Sequence, residues 1–109
     1  MSNLSLKQNP TLADLQAYVV AAMRERGHSD TLADAPKRFM LLLEESGEFA
    51  RAARKVVGMK FAADTHSSEL ADEAADLLIV LLGLCNMFDI DLEQAFRNKE
   101  EKNKQREWK

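Results

Sequence analysis

Glu69-Leu70-Ala71-Asp72-Glu73-Ala74-Ala75-Asp76-Leu77-Leu78-Ile79-Val80-Leu81-Leu82-Gly83-Leu84-Cys85 is the stretch that decides the fold. Its first half carries acids at offsets 0, 3, 4 and 7, which fall on one stripe of an α-helix. Its second half, from Leu77 to Cys85, is apolar on every side of that helix once Gly83 is counted with the apolar residues. A helix apolar all round must be covered all round. The run is far shorter than the ~20 residues a membrane helix needs, so protein must cover it. A chain of 109 residues and 12.3 kDa makes one domain. A monomer of that size buries only roughly 65% of its unfolded surface, so three partner helices leave part of this one bare. The expectation is a homo-oligomer in which this segment meets its counterpart.

Working outward, three further helices are predicted. Thr11 with Asp14 three residues on resembles a capping box, and Leu12, Leu15, Val19 and Met23 form one apolar face behind it. Gly27 ends that helix, and residues 27–34 read as a loop. A second helix starts around Ala35–Pro36 and buries Phe39, Leu42, Leu43, Phe49, Ala50, Ala53 and Val57, with Gly58 ending it. Residues 58–66 form another loop, Ser67 or Ser68 caps the acidic helix, and that helix runs to about Phe88. Asp91 caps a fourth helix that turns polar after Phe96. The fold class is all-α, a four-helix bundle, with residues 1–10 as a flexible lead and 11–109 as the domain.

Composition narrows the function. Lys+Arg 15 against Asp+Glu 18 gives a net charge of −3, which disfavours a nucleic-acid polymer as partner. Alanine and leucine number 15 each, against 10 for valine, isoleucine and threonine together, which favours helix over sheet. The single cysteine, Cys85, forms no internal disulfide, and Met1–Pro10 lacks the apolar stretch of a signal peptide. A cytoplasmic protein without a membrane partner is expected.

The acids carry the chemistry. Helix two holds Glu44, Glu45 and Glu48, and helix three holds Glu69, Asp72, Glu73 and Asp76. They border the apolar pattern instead of lying opposite it. No lysine or arginine occurs between Glu44 and Ala50 or between Glu69 and Cys85. A solvated acidic face is the plainer reading of either group alone, but two uncompensated groups on adjacent helices repel unless protons or a cation hold them. All-oxygen ligation suits Mg²⁺ or Mn²⁺. His28 and His66 lie in loops and no Glu-x-x-His occurs, which counts against a di-iron oxidase. Lys99, Asn103 and Arg106, at offsets 0, 4 and 7, share a face of helix four; opposite an acidic metal site they suit a phosphate between. For base stacking the candidates are Phe39, Phe61, His28 and Trp108, with Phe39 better explained as core. A competing reading is a non-catalytic module that binds a partner protein through the apolar third helix.

These residues resemble the MazG-like all-α nucleoside triphosphate pyrophosphohydrolases, the superfamily that includes the dCTP pyrophosphatases. Its EExxE is matched by Glu44-Glu45-Ser46-Gly47-Glu48, and its ExxD by Glu73-Ala74-Ala75-Asp76, with residues 49–72 between. Asp76-Leu-Leu-Ile-Val-Leu-Leu resembles the family's DVLIYLL, and Lys99, Asn103 and Arg106 match a K-x-x-x-N-x-x-R signature. The resemblance implies Mg²⁺ on Glu45, Glu48, Glu73 and Asp76, with Glu44 supporting the metal or a water and Glu69 or Asp72 as alternative base or outer acids. It implies hydrolysis of an NTP or dNTP to the monophosphate and pyrophosphate, clearing unwanted nucleotides. It also implies a tetramer ahead of a dimer.

Overall fold

The computed structural model describes residues 2–57 and 67–106, and in them the chain is helical: α1 (Leu12–Glu25), a 3₁₀ turn (Leu32–Asp34), α2 (Ala35–Val56), α3 (Ser67–Met87) and α4 (Leu92–Lys104). The predicted Gly58 stop and Phe61 lie outside the described residues, as does Trp108. So does the turn ahead of Ser67 on which its capping expectation rests. None of the described helices is long and apolar enough to cross a membrane.

Local chemistry sets the helix ends. Thr11 accepts from the Asp14 amide while Asp14 accepts from the Thr11 amide, a complete capping box. Past α1, Gly27 takes φ 74°, which lets His28 N–H reach the Met23 carbonyl and close the helix end. Asp89 does the same after α3 at φ 55°, with Ile90 N–H on the Cys85 carbonyl. Asp91 caps α4 by accepting from the Gln94 amide, while the Gln94 side chain turns to Asn98. The stretch read as an uninterrupted loop, 27–34, contains the 3₁₀ turn, because Asp34 N–H closes back on the Thr31 carbonyl just before Pro36.

The core has two parts. Val19 and Met23 of α1 pack on Leu82, the most deeply buried large side chain, with Leu12, Leu15 and Leu92 against them. Gly83 makes that crossing close: a Cβ there would stand 3.0 Å from the Met23 sulfur. Ala35, Val80, Leu84 and Met87 form the second part, with Leu41 and Leu42. The α3–α4 turn is tied to α1 by Gln16, whose side chain donates to the Ile90 carbonyl and accepts from the Leu92 amide, and by Asn86 donating to the Gln16 carbonyl.

The buried side predicted for α2 needs correction. Leu42, Phe49 and Ala53 are partly buried, but Phe39, Leu43, Ala50 and Val57 are exposed, Leu43 at 73%. The fully buried positions are Ala35 and Ala52. The reason is that α2 packs chiefly on α3 and the 3₁₀ turn, so a narrow strip of its surface is covered. On α3, Val80, Leu82, Leu84 and Cys85 are buried while Leu78, Ile79 and Leu81 stay open on the other side. The radius of gyration, 16.6 Å, exceeds the ~13 Å of a compact globule of this length. Large apolar side chains, among them Leu43, Ile79 and Phe96, stand exposed on this chain.

Candidate metal centre

Antiparallel packing of α2 on α3 lays the acidic half of one helix against the acidic half of the other. Glu45 and Glu48 lie one turn apart on α2, as Glu73 and Asp76 do on α3. One carboxylate oxygen from each of Glu45, Glu73 and Asp76 lies within 4.8 Å of the other two. Glu48 is exposed one turn on from Glu45, and its charge acts on both Glu45 and Glu73. Three of the four residues singled out as ligands, Glu45, Glu73 and Asp76, are drawn to one place.

The electrostatics show the strain of that gathering. Burial holds the Glu45 carboxyl above the ordinary glutamate range, and the charges of Glu48, Asp76 and Glu44 push it further. Glu73 is raised by burial first, then by the charge of Glu48, then by the charges of Glu45 and Asp76. Glu45 Oε2 and Glu73 Oε2 are buried and meet no hydrogen-bond donor among the described residues. A buried carboxylate oxygen without a donor is costly. A hard divalent cation bound by oxygen ligands satisfies all of these oxygens at once, so this donor set fits Mg²⁺ or Mn²⁺.

The α3 stripe divides. Glu73 and Asp76 enter the cluster, Asp72 is exposed, and Glu69 accepts from Lys55 at 3.2 Å. Lys55 lies beyond the cation-free stretch from Glu44 to Ala50 and reaches its acid across the helix pair. Its helical register with Glu45 and Glu48 was the available signal. Glu44 is exposed at the margin and acts on Glu45 through charge.

The predicted phosphate residues lie on α4 and just past its end. Lys99 is exposed on α4 and Asn103 half-buried. Arg106 lies in the turn past Lys104, not on the helix as predicted, its N–H on the Asn103 carbonyl. Within one protomer α4 packs mainly on α1, where Glu93 accepts from the Ala13 amide. Phe39, expected in the core, is 47% exposed, its ring tilted against Phe88 at a centroid distance of 5.9 Å. His28 is exposed in its loop.

A family profile described as phosphoribosyl-ATP pyrophosphohydrolase matches residues 12–103. Among solved structures, iMazG from Vibrio DAT 722 superposes with a TM-score of 0.65 at 26% sequence identity, over 87% of this chain and 99% of that one. A comparison with curated proteins gives no match.

Proposed function

The chain belongs to the phosphoribosyl-ATP pyrophosphohydrolase family, within the MazG-like all-α pyrophosphohydrolases, and on that premise we propose that it is a Mg²⁺-dependent hydrolase converting nucleoside or deoxynucleoside triphosphates to monophosphate and pyrophosphate. The observation that supports this reading best is the meeting of half-buried Glu45 and Glu73 with exposed Asp76, where one oxygen each of Glu45 and Glu73 has no donor among the described residues. In the reaction one P–O bond of the α–β anhydride breaks as the oxygen of water forms a new one. The protons of that water leave with the products and solvent.

Glu45, Glu48, Glu73 and Asp76 would hold the ion. When bound, Mg²⁺ supplies neutralisation of phosphate oxygens and a lowered pKa for water. The residues themselves supply geometry. Two turns of α2 and two of α3 fix the carboxylates on rigid helices, which keeps their spacing when the ion is exchanged. Glu44, beside Glu45, is suited to support the metal or orient a water, and Asp72 stands by on the open side. Lys99, Asn103 and Arg106 are retained as phosphate-binding candidates. Mn²⁺ is a plausible substitute on the same oxygen set.

A second copy of the chain is the natural cover for Leu78, Ile79 and Leu81, together with Phe39 and Leu43. A homo-oligomer, tetramer ahead of dimer, follows in this reading, and light scattering on the purified protein checks it. The role is removal of unwanted nucleotides in the cytoplasm.

The experiment is a panel of NTPs and dNTPs, with phosphoribosyl-ATP included because the family profile carries that description. Product is scored as pyrophosphate against orthophosphate, with Mg²⁺ and with EDTA. Mg²⁺-dependent pyrophosphate release is expected; orthophosphate release, or no turnover of any member, overturns the reading. Turnover of phosphoribosyl-ATP alone would keep the chemistry and replace the substrate class.

A further inference from the structure

Three zones follow one another along the α2/α3 seam. The first is apolar, with Ala35, Leu41 and Leu42 against Val80, Leu84 and Met87. The second is the carboxylate group. The third begins at Ala52, 2% exposed, and ends at Lys55, whose ammonium lies 3.2 Å from Glu69. Register explains the order: residues 45, 48, 52 and 55 stand at offsets 0, 3, 7 and 10 on α2 and share a face, and Glu69 is one turn before Glu73 on α3.

Lys55 and Glu69 form the one ion pair between α2 and α3 among the described residues, with side chains 33% and 44% exposed. Stability alone does not account for it, since a partly exposed pair contributes about 0–1 kcal/mol. The ammonium's partner is Glu69, not Glu45, Glu73 or Asp76 of the carboxylate group. A cation is thus parked on the seam, next to the ligands but not among them.

We propose that Lys55 is a phosphate-binding residue whose ammonium passes from Glu69 to the distal phosphates of a bound nucleotide and holds the pyrophosphate as it leaves. The proposal rests on the pyrophosphohydrolase reading above. A phosphate chain anchored at the carboxylates finds apolar packing in one direction along the seam, where an anion would be desolvated without partners. In the other direction it meets a small alanine and then an ammonium, which binds phosphate as a point charge. Breaking the α–β anhydride leaves its electron pair on the departing oxygen, so negative charge grows on the pyrophosphate, where a nearby cation stabilises it. Lys55 gives up no proton in this step. Glu69 is the placeholder that keeps the ammonium on the seam when phosphate is absent, and its partial exposure makes the exchange cheap.

The test uses the full chain loaded with Mg²⁺ and inorganic pyrophosphate as the probe, read by calorimetry and by product inhibition. Lys55→Ala is expected to weaken pyrophosphate binding about tenfold or more, and Lys55→Arg to restore most of it. Glu69→Gln frees the ammonium and should tighten binding about two- to fivefold. An ion pair that is only structural would make Lys55→Ala and Glu69→Gln change affinity in the same direction, or not at all, and either result overturns the proposal. A parallel fall in Mg²⁺ affinity measured without pyrophosphate would assign Lys55 to the metal site and overturn it too. Should Lys55→Ala not fold, Glu69→Gln decides: tighter binding supports the proposal, weaker or unchanged binding rejects it. Failure of the hydrolase reading shows separately, as wild-type protein that turns over no nucleotide.

Discussion

The two halves of the α2/α3 contact are built to opposite rules. In the apolar half, Leu42, Val80, Leu84 and Met87 gain from being brought together, and sequence pattern, packing and burial agree. In the acidic half, the same antiparallel register brings Glu45, Glu73 and Asp76 together against their mutual repulsion and the charge of Glu48, with two oxygens buried without donors among the described residues. One helix pair thus stores its stability at one end and spends it at the other. Places where local preference and global packing disagree are where function is to be sought.

That contrast can be broken most sharply by neutralising the acidic half. Glu48→Gln or Asp76→Asn should lower turnover by about 10²–10³-fold or more, the scale of losing one group that acts on the reacting charge. The metal-free protein should keep its helical circular dichroism and melt no lower than wild type, because repulsion is relieved. Loss of helix in either variant would show that these acids are structural.

Proton and metal linkage sharpen the comparison next. Glu45 and Glu73 have carboxyls raised above the ordinary value of 4.5 in the fold. A raised folded value means their contribution to stability is fully present below 4.5 and is lost as pH rises through the raised values. Without metal, wild type should therefore lose stability relative to Glu45→Gln/Glu73→Gln as pH climbs from about 4 to 7. Saturating Mg²⁺, at 100 times its Kd, should add about 2.7 kcal/mol at neutral pH, roughly 10 °C in Tm, and release protons on binding. Thermal melts across pH with Mg²⁺ or EDTA read both signs; an unchanged Tm argues against a resident ion.

Outside the acidic half the effects shrink and touch stability alone. Gly83→Ala places a Cβ 3.0 Å from the Met23 sulfur at the α1/α3 crossing. Overpacking costs roughly 1–3 kcal/mol against about 1 kcal/mol returned by helix propensity, so a net loss of about 1 kcal/mol is expected in denaturant melts. Turnover per folded molecule should not change. Smallest is Asp89→Gly: Gly27 and Asp89 close two helices with the same hydrogen bonds, but Asp89 carries a Cβ into the left-handed region. Relief there should stabilise by about 0.5 kcal/mol.

Much of this arrangement was legible in the chain. The caps at Thr11 and Asp91, the apolar face of α1 and the all-round apolar run of α3 depend on residues three or four apart, and helical geometry fixes those relations locally. The buried side of α2 was misread at Phe39 and Leu43 because an apolar stripe records that a surface needs cover without saying whether this chain supplies it. Helical spacing puts Glu45 with Glu48 and Glu73 with Asp76 on one face each, the family resemblance proposes those four as ligands, and three of them, Glu45, Glu73 and Asp76, meet in the structure. That Glu69 would leave their company for Lys55 was hidden, since the two residues meet only across the helix pair.

The sequence by itself determined four helices, the caps of α1 and α4 and the presence of two acidic faces, because each depends on neighbours within a turn or two along the chain. Only the tertiary structure decided which acids share a pocket, which oxygens lose their water, and that a lysine waits one turn away. Those facts depend on how α2 and α3 are set against each other, and the relative register of two helices is fixed by packing between residues distant in sequence.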